Sequence, residues 1–167
     1  NFSRTSPVEW SEVNVNRVLR DTVNLIEHQL QKARITVAFQ LDESVSPMRG
    51  SGGKLQQVFL NLFLNARDAM EASGARAGVL TIKTSWDGEQ VHVEVADTGS
   101  GIAPEHLARI FDPFFTTKGA KKGTGLGLSV SYGIVQEHGG NIEVESAPGA
   151  GTRFRLDFPA IKRAVAV

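Results

Sequence analysis

The segment LTIKTSWDGEQVHVEVAD, residues 80–97, carries the reading of the fold. Leu80, Ile82, Thr84 and Trp86 alternate with polar neighbours, Asp87-Gly88 has the composition of a tight turn, and Val91, Val93 and Val95 resume the alternation up to Asp97. Period-two patterning on both sides of such a turn predicts two antiparallel strands, each with one buried face. Upstream, from about Gly53 to Ser73, Leu55, Val58, Phe59, Leu62, Ala66, Ala69 and Met70 recur at helical spacing, and Gly74 follows as a stop. Further back, Ile35, Val37, Phe39 and Leu41 alternate as a strand, and Val15, Val18, Leu19, Val23, Ile26 and Leu30 predict a first helix with Asn14 as its N-cap.

Downstream of the hairpin, Pro104 to Ile110 reads as a short helix with proline in its first turn, and Asp112 to Thr124 has no period and reads as a mobile loop. Leu126, Leu128, Val130, Ile134 and Val135 predict a third long helix closed by Gly139-Gly140, followed by strands at Asn141–Glu145 and Thr152–Phe158. The strands arrive mainly as hairpins and do not alternate singly with helices. The expected class is therefore α/β, a two-layer sandwich with a mixed, mostly antiparallel sheet and helices on one face, and not a doubly wound sheet.

Composition narrows the function. In 167 residues, eighteen basic side chains balance eighteen acidic ones without a block of like charge, so nothing electrostatic calls for nucleic acid or for direct contact with a membrane. Cysteine is absent, which excludes thiolate chemistry and disulfides and agrees with a reducing, cytoplasmic setting. No apolar run approaches the roughly 20 residues of a membrane span, and the N-terminus lacks the apolar middle of a signal peptide. Residues 1–7 read as a linker from something upstream, residues 8–160 as one domain and residues 161–167 as a tail. Of seventeen glycines, eleven lie between Gly99 and Gly151, so the excess over the usual level of about 7% is local and points to a site.

Three clusters carry chemistry. Asn61 and Asn65 stand one helical turn apart beside an apolar face; asparagine is a poor helix former, and an amide oxygen is a suitable hard ligand for Mg2+. Asp97-Thr98-Gly99-Ser100-Gly101 follows directly on a strand, where a carboxylate can accept from an exocyclic amine while glycines let a flat ring approach the backbone. Gly123-Thr124-Gly125-Leu126-Gly127-Leu128 opens the third long helix, whose N–H groups and dipole favour phosphate. It lacks the Lys-Ser/Thr ending of a P-loop and does not follow a strand as a dinucleotide fingerprint does. Lys118 precedes it, and Lys121 and Lys122 fit a solvated loop as well as a phosphate contact. The histidines His28, His92, His106 and His138 have no metal-site spacing, and surface or packing roles suit them.

Taken in order, Asn61-Leu-Phe-Leu-Asn65-Ala-Arg-Asp-Ala69, Asp97-Thr-Gly-Ser-Gly101, Phe111-Asp-Pro-Phe-Phe115 and Gly123-Thr-Gly-Leu-Gly-Leu128 resemble the N, G1, F and G2 boxes of bacterial sensor histidine kinases, and Gly149-Ala150-Gly151-Thr152 resembles their final glycine box. The resemblance runs from Val8 to Phe158. It implies the Bergerat ATP-binding fold, with ATP and Mg2+ held between the second long helix and a flexible lid. By position it implies that Asn65 coordinates the metal, Asn61 supports the phosphates or a metal-bound water, and Asp97 binds the adenine amine. Gly99, Gly101 and Ile102 would shape the base pocket with Thr152 beside the base. Gly123 to Leu128 would hold phosphates and hinge the lid, with Phe111, Phe114 and Phe115 anchoring the lid and meeting a helical partner. Asp68 departs from the basic phosphate contact common at its position, leaving Lys118 or Arg67 as replacements.

The resemblance also implies a reaction. The ATPase branch of this superfamily carries a water-activating glutamate where this chain has Asn61, so transfer to a supplied acceptor is favoured over hydrolysis. The family's acceptor is a histidine followed by an acidic residue, in a dimerisation and phosphoacceptor domain of the same parent protein. None of the four histidines here has that context. A response regulator would act downstream, and a membrane-anchored parent would carry this domain on the cytoplasmic side. A Bergerat-type ATPase and a non-catalytic ATP-binding module are the alternatives.

Overall fold

The computed structural model describes residues 10–113, 115 and 127–161. Its elements in chain order are β1 (Ser11–Val13), α1 (Val15–Leu25), α2 (Glu27–Lys32), β2 (Ile35–Gln40), β3 (Met48–Gly50), α3 (Gly52–Ala72), β4 (Gly78–Trp86), β5 (Gln90–Asp97), α4 (Pro104–Leu107), α5 (Gly127–Glu137), β6 (Asn141–Ser146) and β7 (Thr152–Pro159). Five strands form one sheet in the order β2-β4-β5-β7-β6, with β2 parallel to β4 and every other neighbour antiparallel. Leu80, Ile82 and Thr84 of β4, Val91, Val93 and Val95 of β5, and Phe154, Leu156 and Phe158 of β7 are buried on the helix side. The opposite face carries cross-strand charges such as Arg153 with Glu145 and Glu94, and His92 between Asp87 and Asp157. One apolar and one charged face make the two-layer arrangement the stable one.

The central helix, α3, packs against α1 on one side and α5 on the other and touches β5 beneath. Its buried face is Leu55, Val58, Phe59, Leu62, Phe63, Ala66 and Met70. Each fully buried large side chain contributes about 1.5–3 kcal/mol, which outweighs a propensity cost of up to about 0.7 kcal/mol for each of two mid-helix asparagines. The helix start is fixed from both sides. Ser51 Oγ accepts from the Lys54 N–H at 3.2 Å, while the Ser51 N–H donates to His138 Nε2 at 3.1 Å. His138 Nδ1 in turn donates to the Ile134 carbonyl at 2.8 Å, so the ring joins the end of α5 to the start of α3.

The structure differs from the sequence expectation in three places. The first helix is interrupted at Ile26, whose N–H bonds to the Val23 carbonyl, and α2 then re-aims Leu30 into the core. The helix at Pro104 ends at Leu107, because the chain continues through tighter i to i+3 bonds, Arg109 N–H to His106 and Asp112 N–H to Arg109. The small β1–β3 sheet, paired Val13 to Met48 and Ser11 to Gly50, has no counterpart in the expectation. Among the described residues, no helix is long and apolar enough to cross a membrane.

Candidate functional site

Asn61 and Asn65 share the polar margin of α3. Asn61 Nδ2 donates to the Gly127 carbonyl at 3.1 Å and to Ser131 Oγ at 3.2 Å, both in the first turns of α5. Asn65 is half-buried, and its amide makes no side-chain hydrogen bond to any described residue. A polar amide without a partner on a structured helix is available to a ligand. Its oxygen is a hard donor of the kind Mg2+ takes.

One turn beyond Asn65, α3 meets the strand end. The Ser100 N–H donates to the Ala69 carbonyl at 3.0 Å, and a Cβ on Gly99 would lie 2.6 Å from the Ala69 carbonyl carbon. Glycine is required there for close approach. At Gly101 the requirement is conformational, with φ +78° and the Ala147 carbonyl filling the place of a side chain. Asp97 is buried opposite Thr152 in the β5–β7 register, and its Oδ1 accepts from the Gly99 N–H at 2.8 Å. Burial pushes the Asp97 carboxyl above its ordinary value of 3.8, against the pull of hydrogen bonds from the Gly99 and Thr152 N–H groups.

A serine outside the sequence-stated set closes this end. Ser146 Oγ accepts from the Ile102 N–H at 2.8 Å, donates to the Gly151 carbonyl at 2.8 Å and meets Thr152 Oγ1 at 2.8 Å. Gly99, Gly101, Ile102 and Thr152 are thus drawn around Asp97 by one hydroxyl and one helix turn. The signal for Ser146 was its place at the end of a strand opposite Thr152, which is visible only once the register is known. Ser131 is a second such serine. It sits three residues before Ile134 on the buried face of α5, where the period asks for an apolar side chain.

Among the phosphate candidates, Gly127 and Leu128 are in α5, with Leu128 packed on the core. Lys118, Lys121, Lys122, Gly123, Thr124, Gly125, Leu126 and Phe114 lie outside the described residues, as does most of the loop from Asp112 to Thr124. Arg67 is engaged elsewhere. Its guanidinium bonds Asp68 Oδ1 at 2.9 Å and Gln29 Oε1, with Glu71 at 3.8 Å. Phe111 lies 5.4 Å from the Tyr132 ring and 6.4 Å from Phe154, and Arg109 sits 4.8 Å over Phe115. His28 is exposed, His106 lies 5.4 Å from Phe115, and His92 is on the opposite face of the sheet. In sum, a buried carboxylate stands at one end, where the side-chain positions of Gly99 and Gly101 are taken up by the Ala69 and Ala147 backbone, and amide oxygens stand at the other. That suits a ligand with an amine-bearing flat ring and an anionic, metal-binding tail.

Residues 50–162 match the family model described as histidine kinase-, DNA gyrase B- and HSP90-like ATPase. The sensor histidine kinase ZraS of Salmonella typhi is 39% identical over 152 residues, 90% of this chain and 31% of the relative. The chain thus spans about a third of the length of such curated relatives. Among solved structures, the catalytic domain of histidine kinase ThkA has a TM-score of 0.78 at 34% identity, covering 91% of this chain and 98% of that one. ThkA in complex with the response regulator TrrA has a TM-score of 0.76 at 31% identity, covering 96% and 45%. Full-length ShkA in complex with AMPPNP has a TM-score of 0.80 at 28% identity, covering 95% and 33%.

Proposed function

The chain belongs to the histidine kinase-, DNA gyrase B- and HSP90-like ATPase family, and we propose that it is the ATP-binding catalytic domain of a sensor histidine kinase, moving the γ-phosphoryl group of ATP to a histidine on a separate dimeric helical domain of the same parent. The observation that carries this reading is the amide at position 61 of α3. Its NH2 end is held by α5, and an amide has no basic atom to deprotonate water near neutral pH. Activation of the nucleophile is left to the acceptor, whose imidazole has its own lone pair.

The chain's own residues bind and orient. Asp97 accepts from the adenine amine, Gly99, Gly101 and Ile102 form the floor of the base pocket, and Thr152 stands beside the base. Asn65 offers its amide oxygen to Mg2+, which when bound would neutralise charge on the triphosphate. Asn61 supports the phosphates or a metal-bound water, and Lys118 with the stretch Gly123 to Leu128 holds the phosphates and hinges a lid anchored by Phe111, Phe114 and Phe115. Since the transition state of phosphoryl transfer is loose, positioning and charge neutralisation supply most of the rate. The likeness to ShkA with AMPPNP supports an adenine nucleotide, and the likeness to ThkA with TrrA supports a response regulator as downstream partner. In this reading residues 8–160 are the domain, residues 1–7 link it to the acceptor domain, residues 161–167 are a tail, and the setting is cytoplasmic.

The test is incubation with γ-labelled ATP and Mg2+, alone and with a separately supplied dimeric helical domain bearing an acceptor histidine. The expected result is acid-labile label on the helical domain, weak because no linker raises the effective concentration, and none on this chain. Rapid phosphate release without a partner would make the chain an ATPase. Acid-stable label on this chain would make it a serine or threonine kinase, and Mg–ATP binding without any transfer would make it a regulatory module.

A further inference from the structure

The amide of Asn61 has two hydrogens and one oxygen, and its surroundings decide which it presents. Its NH2 end faces α5, where Nδ2 donates to the Gly127 carbonyl at 3.1 Å and to Ser131 Oγ at 3.2 Å. Because the amide is planar, fixing its NH2 end turns Oδ1 away from α5. A single bond to Gly127 would leave the group free to swing about its last torsion. The second bond, to Ser131 Oγ, restricts that freedom.

Ser131 is a costly residue in its place. It is 0% exposed, and a hydroxyl buried on the inner face of a helix must find partners. It donates to the Gly127 carbonyl four residues back, at 2.9 Å, a bond that tends to bend helices and adds no stability to them. That donation leaves the oxygen lone pairs to accept, and what they accept is Asn61. The three atoms Gly127 O, Ser131 Oγ and Asn61 Nδ2 form a closed triangle of hydrogen bonds between α5 and α3. Gly127 also belongs to the glycine stretch that leads into α5, so the same triangle relates the start of that helix to the amide.

We propose that Ser131 is a positioning residue that, through Asn61, sets an amide oxygen of α3 toward the phosphate–metal side of the nucleotide site. The inference rests on the Mg–ATP reading above and adds to it a residue that touches neither nucleotide nor metal.

The experiment uses calorimetric ATP titrations with Mg2+ and with EDTA, taking the ratio of the two affinities as the readout. Ser131→Ala and Ser131→Val are expected to lower that ratio about 5-fold, the range of one hydrogen bond, with the EDTA affinity unchanged. Ser131→Thr, which keeps the hydroxyl and has the shape of valine, restores it. In an Asn61→Ala background Ser131→Ala has no further effect, because the two act as one unit. The Asn61 side-chain amide resonance, assigned by its loss in Asn61→Ala, moves in Ser131→Ala and returns in Ser131→Thr. A merely structural serine makes valine and threonine equivalent or lowers the EDTA affinity as well, and either result overturns the proposal while the Mg–ATP reading stands. A wild-type chain whose ATP affinity does not respond to Mg2+ would remove the reading itself, and the proposal with it.

Discussion

At the Asp97 end of the site the polar groups are held by backbone. The carboxylate takes the Gly99 and Thr152 N–H groups, the Ser100 N–H reaches the Ala69 carbonyl, and Ser146 ties Ile102, Gly151 and Thr152. At the Asn65 end the chemistry rests on side chains of one helix, of which Asn61 is tethered to α5 and Asn65 has no partner among the described residues. Under the proposed function, the difference separates two tasks. A base is recognised by its edge and meets an acceptor fixed by backbone, whereas a triphosphate and its metal bring their own charge and are met by side chains of one helix. The two ends should therefore fail independently.

The largest effect is expected at the Asn65 end. Asn65→Ala should lower phosphotransfer by at least about 100-fold, since a lost metal ligand removes several kcal/mol of transition-state stabilisation. ATP binding in EDTA and the thermal midpoint should hold or improve slightly, because alanine is the better helix former. If EDTA binding collapsed too, the two ends would be one unit.

Next comes the Asp97 end. Asp97→Asn should weaken ATP by about 10- to 100-fold, the worth of a hydrogen bond to a charged group, and erase any preference of ATP over GTP. The ratio of affinities with and without Mg2+ should persist in this variant. Equal affinities of the wild-type chain for ATP and GTP would remove the adenine role of Asp97.

Gly99→Ala probes the seam between the ends. Its new methyl would press on the Ala69 backbone, which cannot yield as a flexible side chain does, so a loss of about 1–3 kcal/mol is expected in thermal or urea unfolding. An unchanged melt would mean that the strand end is not seated on α3.

The smallest effect is the pH response. Burial raises the Asp97 carboxyl above 3.8, against the hydrogen bonds that lower it, so protons compete with the adenine amine at a higher pH than at a free aspartate. ATP affinity should fall as pH is lowered through that raised value, while Asp97→Asn should titrate flat there. For the free protein the sign reverses. The folded state holds the extra proton, so stability declines as pH rises from 3.8 through the raised value, and the Asn variant should lack that slope. A wild-type affinity that does not fall as pH is lowered through the carboxylate range would contradict an ionised Asp97 as the adenine acceptor.

How much of this was legible depended on local period. The hairpin of β4 and β5 and the long face of α3 repeat often enough to be read directly, and Asp97, Gly99 and Gly101 follow from their place after a strand. β1 and β3 could not be read, because three residues are too few to alternate and their pairing spans more than thirty positions. The break at Ile26 was hidden because its apolar spacing continues unbroken into α2. Ser131, Ser146 and His138 act through partners 70, 44 and 87 positions away, a relation no local window contains.

The β5–β7 pairing has a consequence for chain entropy. Asp97 and Thr152 are opposite each other, so residues 98–151, which hold every glycine box after the first strand end, form a single excursion closed by neighbouring strands. The cost of closing such a loop grows only logarithmically, about 0.6 kcal/mol for each doubling. Residues added within that excursion should therefore cost the β5–β7 pairing little, provided that the Phe111 and α5 attachments remain. The same sheet would then still close beside the same carboxylate.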